Sequence, residues 1–131
     1  MPPCPLLIYQ GRLNLIDRAP QDQGILDYCA EQGIGFISFS PLAQGLLTDR
    51  YINGIPADSR MAKEHFLKHS ALTPELLDRL KAWNMEAAAQ GKTLAEEALA
   101  WILRQKGVTS VLVGASSAAQ LEKNMQCVYD C

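Results

Sequence analysis

The stretch Val111-Leu-Val-Gly-Ala-Ser-Ser-Ala-Ala-Gln-Leu-Glu-Lys-Asn124 decides the fold, because it combines a strand, a glycine turn and the start of a helix. The apolar run from Ser110 to Val113 ends at Gly114, and polar residues follow at once. The first N–H groups of a helix lack partners within the helix, and the helix dipole makes that end electropositive. The stretch therefore predicts a site for a phosphate or a sugar phosphate.

Two interpretations of the turn at residues 114–117 stay open at this point. In the first, N–H groups of the turn and the helix start converge on an anion, and Gln120 and Asn124 project from one helix face because they lie four residues apart. In the second, the turn is an ordinary strand-to-helix connection that Ser116 or Ser117 caps.

Composition indicates a globular chain of about one domain. Of its 131 residues, 48% are hydrophobic and 20% are charged, and the net charge is −2. A slightly negative chain has no basic field for nucleic acid or anionic lipid, and no apolar run approaches the ~20 residues that cross a membrane. The N-terminus has no basic region and too short an apolar core for a signal peptide, so the cytoplasm is the predicted location.

Cysteine and histidine do not predict a metal site. Four cysteines, at positions 4, 29, 127 and 131, are too sparse for a disulfide scaffold and are expected to be free thiols. Cys127 and Cys131 would bind a metal only with ligands from elsewhere. His65 and His69 have the helical spacing of zinc-binding pairs, but solvated loop histidines are favoured.

The first predicted strand is the apolar run at residues 5–10, with Gly11 as the turn after it. A run that is apolar on both faces is typical of a buried parallel strand. Gln10 would stand at the carboxyl end of this strand, where ligands of α/β folds collect. A strand-end amide bonded to a neighbouring loop explains Gln10 equally well.

A second α/β step follows. Residues 23–32 predict a short amphipathic helix that Gly33 ends, and residues 35–39 predict a strand. In the next segment, Ser40-Pro-Leu-Ala-Gln-Gly45, the Ser-Pro pair leaves strand geometry. Gly45 permits close approach of the main chain to a ligand.

The connection from Gly45 to about Leu72 is long for a compact domain and contains several turn-forming residues. Arg50 and Arg60 within it favour a flap over an anionic ligand. A surface insertion whose charges are simply solvated is the alternative.

Two helices and a third strand complete the pattern. Residues 73–90 predict a helix with a Thr-Pro start, and Thr93 with Glu96 predicts a capping box at the start of the next. Trp83 and Trp101 are expected in the core or between helices. Residues 108–113 give the third strand.

Three motifs together resemble one family, the aldo-keto reductases, in the branch that contains bacterial glyceraldehyde-3-phosphate-type reductases and potassium channel β subunits. They are Ser40-Pro-Leu-Ala-Gln-Gly-Leu-Leu-Thr48, the segment from Ile55 to Arg60, and Gly114-Ala-Ser with Gln120-Leu and Asn124. The resemblance implies an α/β fold that is a partial (β/α)8 TIM barrel, about its last three strands with their helices. Residues 1–131 would be the C-terminal, cofactor-binding portion of that barrel.

The cofactor that the resemblance implies is NADPH. Gln10 would hold the nicotinamide carboxamide, and Phe39 would stack on the nicotinamide ring. The pyrophosphate would be surrounded by Ser40, Leu42, Gln44 and Arg50. The adenosine end would be addressed by Arg60, Ser116, Gln120 and Asn124, next to the anion-binding turn at Gly114. An arginine is a suitable partner for a 2′-phosphate.

The sequence departs from the family pattern in three ways. The run Gln10-Gly-Arg-Leu-Asn14 lacks the usual proline and aromatic residue, and Lys123 replaces a common glutamate. A complete barrel needs roughly 250 residues, about twice this length. The family's catalytic aspartate, tyrosine, lysine and histidine belong to the earlier half of the barrel, so no catalytic residue is assigned here.

The expected function is NADPH-dependent reduction of an aldehyde or ketone, by a fragment that keeps the cofactor-binding half and lacks the catalytic residues. Its partner in the intact enzyme would be a small-molecule carbonyl substrate. A non-catalytic NADPH- or protein-binding module, or a truncated chain without a function, are the alternatives. Three parallel strands alone would expose two sheet edges, so self-association is also expected.

Overall fold

The computed structural model describes residues 6–48 and 72–129, which form an α/β arrangement around a three-stranded parallel sheet. The strands are β1 (Ile8–Arg12), β2 (Gly35–Phe39) and β3 (Val108–Val111), in the order β1-β2-β3. The helices are α1 (Ala19–Asp22), α2 (Ile25–Gln32), α3 (Pro74–Ala89), α4 (Leu94–Arg104) and α5 (Ala118–Met125). The α/β class and the parallel pairing that the sequence predicts are confirmed.

Strand β1 does not end where the sequence predicts. Gly11 pairs with Ser38, and Arg12 pairs with Phe39, so the chain stays in the sheet past the predicted turn. A Cβ at Gly11 would lie 2.9 Å from Tyr9 Cε1 and 3.0 Å from the Phe36 ring. Gly11 therefore provides room for two aromatic rings within a strand. Gln10 consequently lies inside β1, and its predicted place at the carboxyl end is wrong.

Burial of β1 also differs from the prediction. Leu6, Leu7 and Ile8 are 61%, 72% and 54% exposed, although their apolar run predicts a strand buried on both faces. The cause is the position of β1, which has β2 on one side and forms the outer strand of the described sheet.

The connection from β1 to β2 contains two helices rather than one. Gly24 adopts a left-handed conformation with φ 76°, which separates α1 from α2, so the predicted helix at residues 23–32 begins at Ile25. Gly33 follows α2 with φ 70°, and the N–H of Ile34 donates to the Cys29 carbonyl at 2.8 Å. The predicted glycine stop is confirmed.

The starts of α3 and α4 follow the capping rules. Thr73 Oγ1 accepts from the N–H of Leu76 at 3.2 Å. Thr93 and Glu96 form the complete reciprocal capping box, with both hydrogen bonds at 3.2 Å. Strand β3 begins at Val108 as predicted but ends two residues early, and the N–H of Leu112 still donates to the Ser38 carbonyl at 2.8 Å.

The core consists of several neighbouring apolar clusters. The first joins the sheet to α2 and α4 through Leu13, Leu26, Cys29, Phe36 and Ile102. The second joins α3 to α4 and to the loops after β1 and β2 through Leu15, Leu47, Leu80, Leu94 and Ala98. Trp101 packs against both clusters and Trp83 against the second, which confirms their predicted packing role. None of the helices in the described ranges is long and apolar enough to cross a bilayer.

Candidate functional site

The loop that follows β2 holds an unusual backbone conformation. Ser40, Ala43 and Gln44 have φ angles of 50°, 49° and 60°, and they account for every non-glycine positive φ within residues 6–48 and 72–129. Such a conformation costs a residue with a Cβ about 1–2 kcal/mol. Three of them in five residues mark a loop whose shape is imposed by its surroundings.

Turn hydrogen bonds and apolar anchors fix this loop. The N–H of Ala43 donates to the Ser40 carbonyl at 3.1 Å, and the N–H groups of Gly45 and Leu47 both donate to the Leu42 carbonyl at 3.0 Å. Leu47, which follows directly, is fully buried in the cluster with Leu80. The strained loop is thus attached at its far end to the core.

A buried asparagine attaches the near end. Asn14, which is 1% exposed, donates from Nδ2 to the Ser40 carbonyl at 3.0 Å. Its Oδ1 accepts from the N–H groups of Ile16 and Asp17 at 2.9 and 2.8 Å. Sequence analysis missed this role, because the contact with Ser40 joins residues 26 positions apart. The Asx turn at Ile16 and Asp17 was the local signal that pointed to it.

The turn after β3 combines features of both earlier interpretations. Ser117 caps α5, since its Oγ accepts from the N–H of Gln120 at 3.1 Å. The N–H and the Oγ of Ser116 donate to Gln120 Oε1 at 2.7 and 2.9 Å. The N–H of Ser116 is therefore not free to bind an anion in this structure. The N–H groups of Ala118 and Ala119, at the first two helical positions, still have no partner within the helix.

The two loops line one groove with a volume of about 560 Å³. One wall comes from the loop after β2, and the other comes from residues 112–116 with Gln120 of α5. The structure thereby brings together six of the residues predicted from the sequence, namely Ser40, Leu42, Gln44, Gly114, Ser116 and Gln120. Its volume lies within the range of about 300–1,000 Å³ that is usual for ligand sites.

Other predicted residues lie elsewhere. Gln10 is exposed in the middle of β1, and Phe39 is half-buried at the end of β2, with the Arg12 guanidinium 5.5 Å from its ring centroid. Neither residue lines the groove. Arg50 and Arg60 fall in the part of the chain that the structure does not describe, as do the predicted flap and the histidine pair.

Two buried amide atoms of predicted cofactor residues lack a hydrogen-bond partner. They are Gln44 Oε1, in the groove, and Asn124 Nδ2, on α5. Asn124 does not line the groove. Asn124 is only 6% exposed, whereas Gln120, one turn earlier on α5, is exposed. The two side chains, which the sequence predicts to project from one helix face, therefore differ in burial. A buried polar atom without a partner costs about 1–3 kcal/mol. In a native fold such an atom needs an explanation, and a bound water, ion or ligand is one.

A smaller cavity of about 210 Å³ adjoins the groove. It shares Ser40 and Gln44 with the groove, and its wall also includes Arg12, Asn14 and Asp17. Residues 6–48 and 72–129 contain no group of three potential metal ligands.

Comparison with known proteins defines the class. A sequence model of the aldo/keto reductase family matches residues 1–129, and the chain belongs to this family of oxidoreductases. Members generally use a nicotinamide cofactor and act on small carbonyl compounds. The resemblance drawn from the loop motifs is confirmed.

Curated relatives include two enzymes and a channel subunit. The chain is 47% identical over 129 residues to L-glyceraldehyde 3-phosphate reductase of Escherichia coli K12, covering 95% of the chain and 37% of that protein. It is 34% identical over 125 residues to a probable voltage-gated potassium channel subunit beta of Arabidopsis thaliana, covering 93% and 38%. It is 34% identical over 119 residues to an NADH-specific methylglyoxal reductase of Escherichia coli K12, covering 90% and 36%. The chain thus spans little more than a third of these relatives.

A solved structure shows the same fold. The crystal structure of a thermostable aldo-keto reductase with the inhibitor epalrestat matches with a TM-score of 0.62 at 20% identity. The match covers 95% of this chain and 35% of that protein. The α/β arrangement is therefore similar to that of an aldo-keto reductase barrel.

Proposed function

We propose that residues 1–131 are the cofactor-binding, C-terminal portion of an aldo-keto reductase (β/α)8 barrel, and that the groove between the loops after β2 and β3 binds NADPH in the cytoplasm. The bound cofactor supplies a hydride for the reduction of an aldehyde or ketone. In this proposal the residues that give the carbonyl oxygen its proton lie outside this chain, and the chain contributes binding and orientation.

The observation that carries the proposal is the pair of unpartnered amide atoms. Both belong to residues that the family resemblance assigns to the cofactor, Gln44 and Asn124. An amide oxygen accepts from a ribose hydroxyl, and an amide N–H donates to an adenine ring nitrogen, so both atoms suit the neutral polar parts of a dinucleotide. For Gln44 Oε1 this favours the ribose next to the pyrophosphate over the pyrophosphate itself, because phosphate oxygens are acceptors. A ligand that supplies these partners removes the cost of leaving them unpaired.

The charged parts of NADPH fit other features. The groove wall at Ser116 and Gln120 adjoins the start of α5, where the first N–H groups of a helix lack partners within it and the dipole is positive, which suits a pyrophosphate. Arg50 would contact the pyrophosphate. Arg60 would pair with the 2′-phosphate, which distinguishes NADPH from NADH. One relative is a reductase specific for NADH, so the preference of this chain for the 2′-phosphate of NADPH needs a direct test.

A second candidate function is binding without catalysis by this chain. Tyrosine is the proton donor expected in this family, but Tyr9, Tyr28 and Tyr129 are 38%, 60% and 83% exposed. None of these three described tyrosines lines the groove. One relative is described as a probable potassium channel subunit and not as an enzyme, which supports this second candidate.

Titration of nicotinamide fluorescence tests the proposal. NADPH added to the purified chain should bind saturably, and should bind more tightly than NADH. Arg60→Ala should lose about tenfold in NADPH affinity and little in NADH affinity. Arg79→Ala is the matched control, because Arg79 lies over the Trp83 ring on α3, 4.7 Å from its centroid.

The absence of NADPH binding by the folded chain would overturn the proposal. Addition of an aldehyde to the NADPH complex then tests whether the proton donor lies outside this chain, as both candidates require. If this chain alone lowers the absorbance of the nicotinamide band when NADPH and an aldehyde are present, the proton donor lies within the chain. That result would refute its placement outside the chain.

A further inference from the structure

Asn14 is the most completely bonded buried polar side chain near the groove. It is 1% exposed, its Oδ1 accepts two backbone N–H groups, and its Nδ2 donates to the Ser40 carbonyl. The orientation of the amide is fixed by this network, because only the oxygen can accept from Ile16 and Asp17 and only the nitrogen can donate to Ser40. The backbone N–H of Asn14 also donates to the Asp17 carbonyl at 2.9 Å.

The residue that Asn14 holds is the first strained residue of the groove wall. Ser40 has φ 50°, and its carbonyl accepts both from Asn14 Nδ2 and from the N–H of Ala43. Release of the Nδ2 bond removes one of the two restraints on this carbonyl. The loop then relaxes towards ordinary φ values, and Leu42 and Gln44 move with it.

We propose that Asn14 is a positioning residue, which connects the loop after β1 to the loop after β2 and keeps the second loop in its dinucleotide-binding shape. Asn14 does not line the groove itself, so it acts through Ser40. This inference rests on the proposed function, since it concerns the same groove.

Asn14→Asp isolates the donated bond. Aspartate keeps the oxygen that accepts from Ile16 and Asp17, but it replaces the Nδ2 donor with an oxygen that faces the Ser40 carbonyl. Two probes separate a positioning role from a purely structural one. In the proposed site NADPH would extend along the loop after β2, whereas adenosine 2′,5′-bisphosphate, which lacks the nicotinamide half, would depend on the side of the groove formed by α5.

The expected result is selective. Asn14→Asp should weaken NADPH binding by about tenfold and change the affinity for adenosine 2′,5′-bisphosphate by less than about twofold. Ser40→Gly, measured alone and together with Asn14→Asp, supplies a rescue test. Glycine adopts φ 50° without strain, so the effect of Asn14→Asp should be smaller in the Ser40→Gly background.

Other outcomes contradict the inference. Equal losses for both probes, or unchanged NADPH binding, would show that Asn14 has no selective effect on the loop. If Asn14→Asp does not fold, Asn14→Ser takes its place, because serine is too short to reach Ser40. If neither variant folds, Asn14 is a folding residue and the inference fails. Absence of binding by the unmodified chain is a separate result, which refutes the proposed function itself.

Discussion

Gly11 shows how one residue sets the geometry of β1. The Tyr9 and Phe36 rings occupy the space beside its Cα, with their centroids 5.8 Å apart. Phe36 is fully buried and has no room to move, whereas Tyr9 is partly exposed. The absence of a side chain at position 11 is what lets the strand continue to Arg12.

Gly11→Ala should therefore lower the free energy of unfolding by about 1–3 kcal/mol, because a methyl group at 2.9–3.0 Å overpacks the ring pair. Urea denaturation measures the effect. Gly114→Ala is the control, since a Cβ there meets no atom within 4 Å and its change should stay within about 0.5 kcal/mol. Equal effects of the two substitutions would contradict this account of β1.

Single residues also mark the limit of sequence analysis. Gly11 has the appearance of a turn in the sequence, and only the packing of two rings from different strands makes it a strand residue. The contact of Asn14 with Ser40 is equally non-local. By contrast, the glycine stop at Gly33 depends on its own backbone conformation, so the sequence was sufficient to predict it.

At the level of elements, α3 and α4 depend on their caps and on one shared core. The two N-caps differ, because Thr93 takes part in a reciprocal box with Glu96, whereas Thr73 makes a single exposed bond. These signals are local, so the starts of α3 and α4 were predictable. The groove residues Ser40, Leu42 and Gln44 were predictable from a family motif, but their strained backbone was not.

Thr93→Ala should destabilise the fold by about 1–2 kcal/mol, because it removes the Oγ1 that accepts a part-buried hydrogen bond from the Glu96 N–H, while the bond from the backbone N–H of residue 93 to Glu96 Oε2 stays. Thr73→Ala, as the matched control, should cost less, about 0.5–1 kcal/mol. Thermal or urea unfolding of both variants gives the comparison. A larger loss for Thr73→Ala would contradict the role assigned to the box.

Leu80→Ala tests the core between α3 and α4. Leu80 is fully buried, so its truncation should cost about 2–5 kcal/mol. Met85→Ala on the same helix is the control, because Met85 is 72% exposed and should change stability by less than about 0.5 kcal/mol. A small effect at Leu80 would mean that α3 is not packed on the core in solution.

For the whole molecule, apolar residues at the start of an outer strand and directly before it are exposed. Leu6, Leu7 and Ile8 lie beside β1 edge groups that have no neighbouring strand in the described part of the chain. Such an edge is a template for pairing with another chain. The relatives are nearly three times as long as the matched region, and in a closed barrel further strands cover these edges.

The chain should therefore associate as its concentration rises, and Leu7→Lys should reduce that association, because a charge directly before an outer strand opposes pairing. Sedimentation velocity across a range of concentrations measures both effects. Lys81→Leu, on an exposed position of α3, is a control for a change of charge and hydrophobicity away from the sheet. A monomer at every concentration would contradict the expectation.

The central claim is that the groove between the loops after β2 and β3 binds NADPH. Mapping of backbone amide chemical shifts during an NADPH titration tests this claim most directly. Addition of NADPH should shift amides at residues 40–45 and 114–120 together, along one binding curve. Amides on the exposed face of α3 should remain unchanged. Shifts confined to one of the two loops, or to neither, would contradict a shared dinucleotide site.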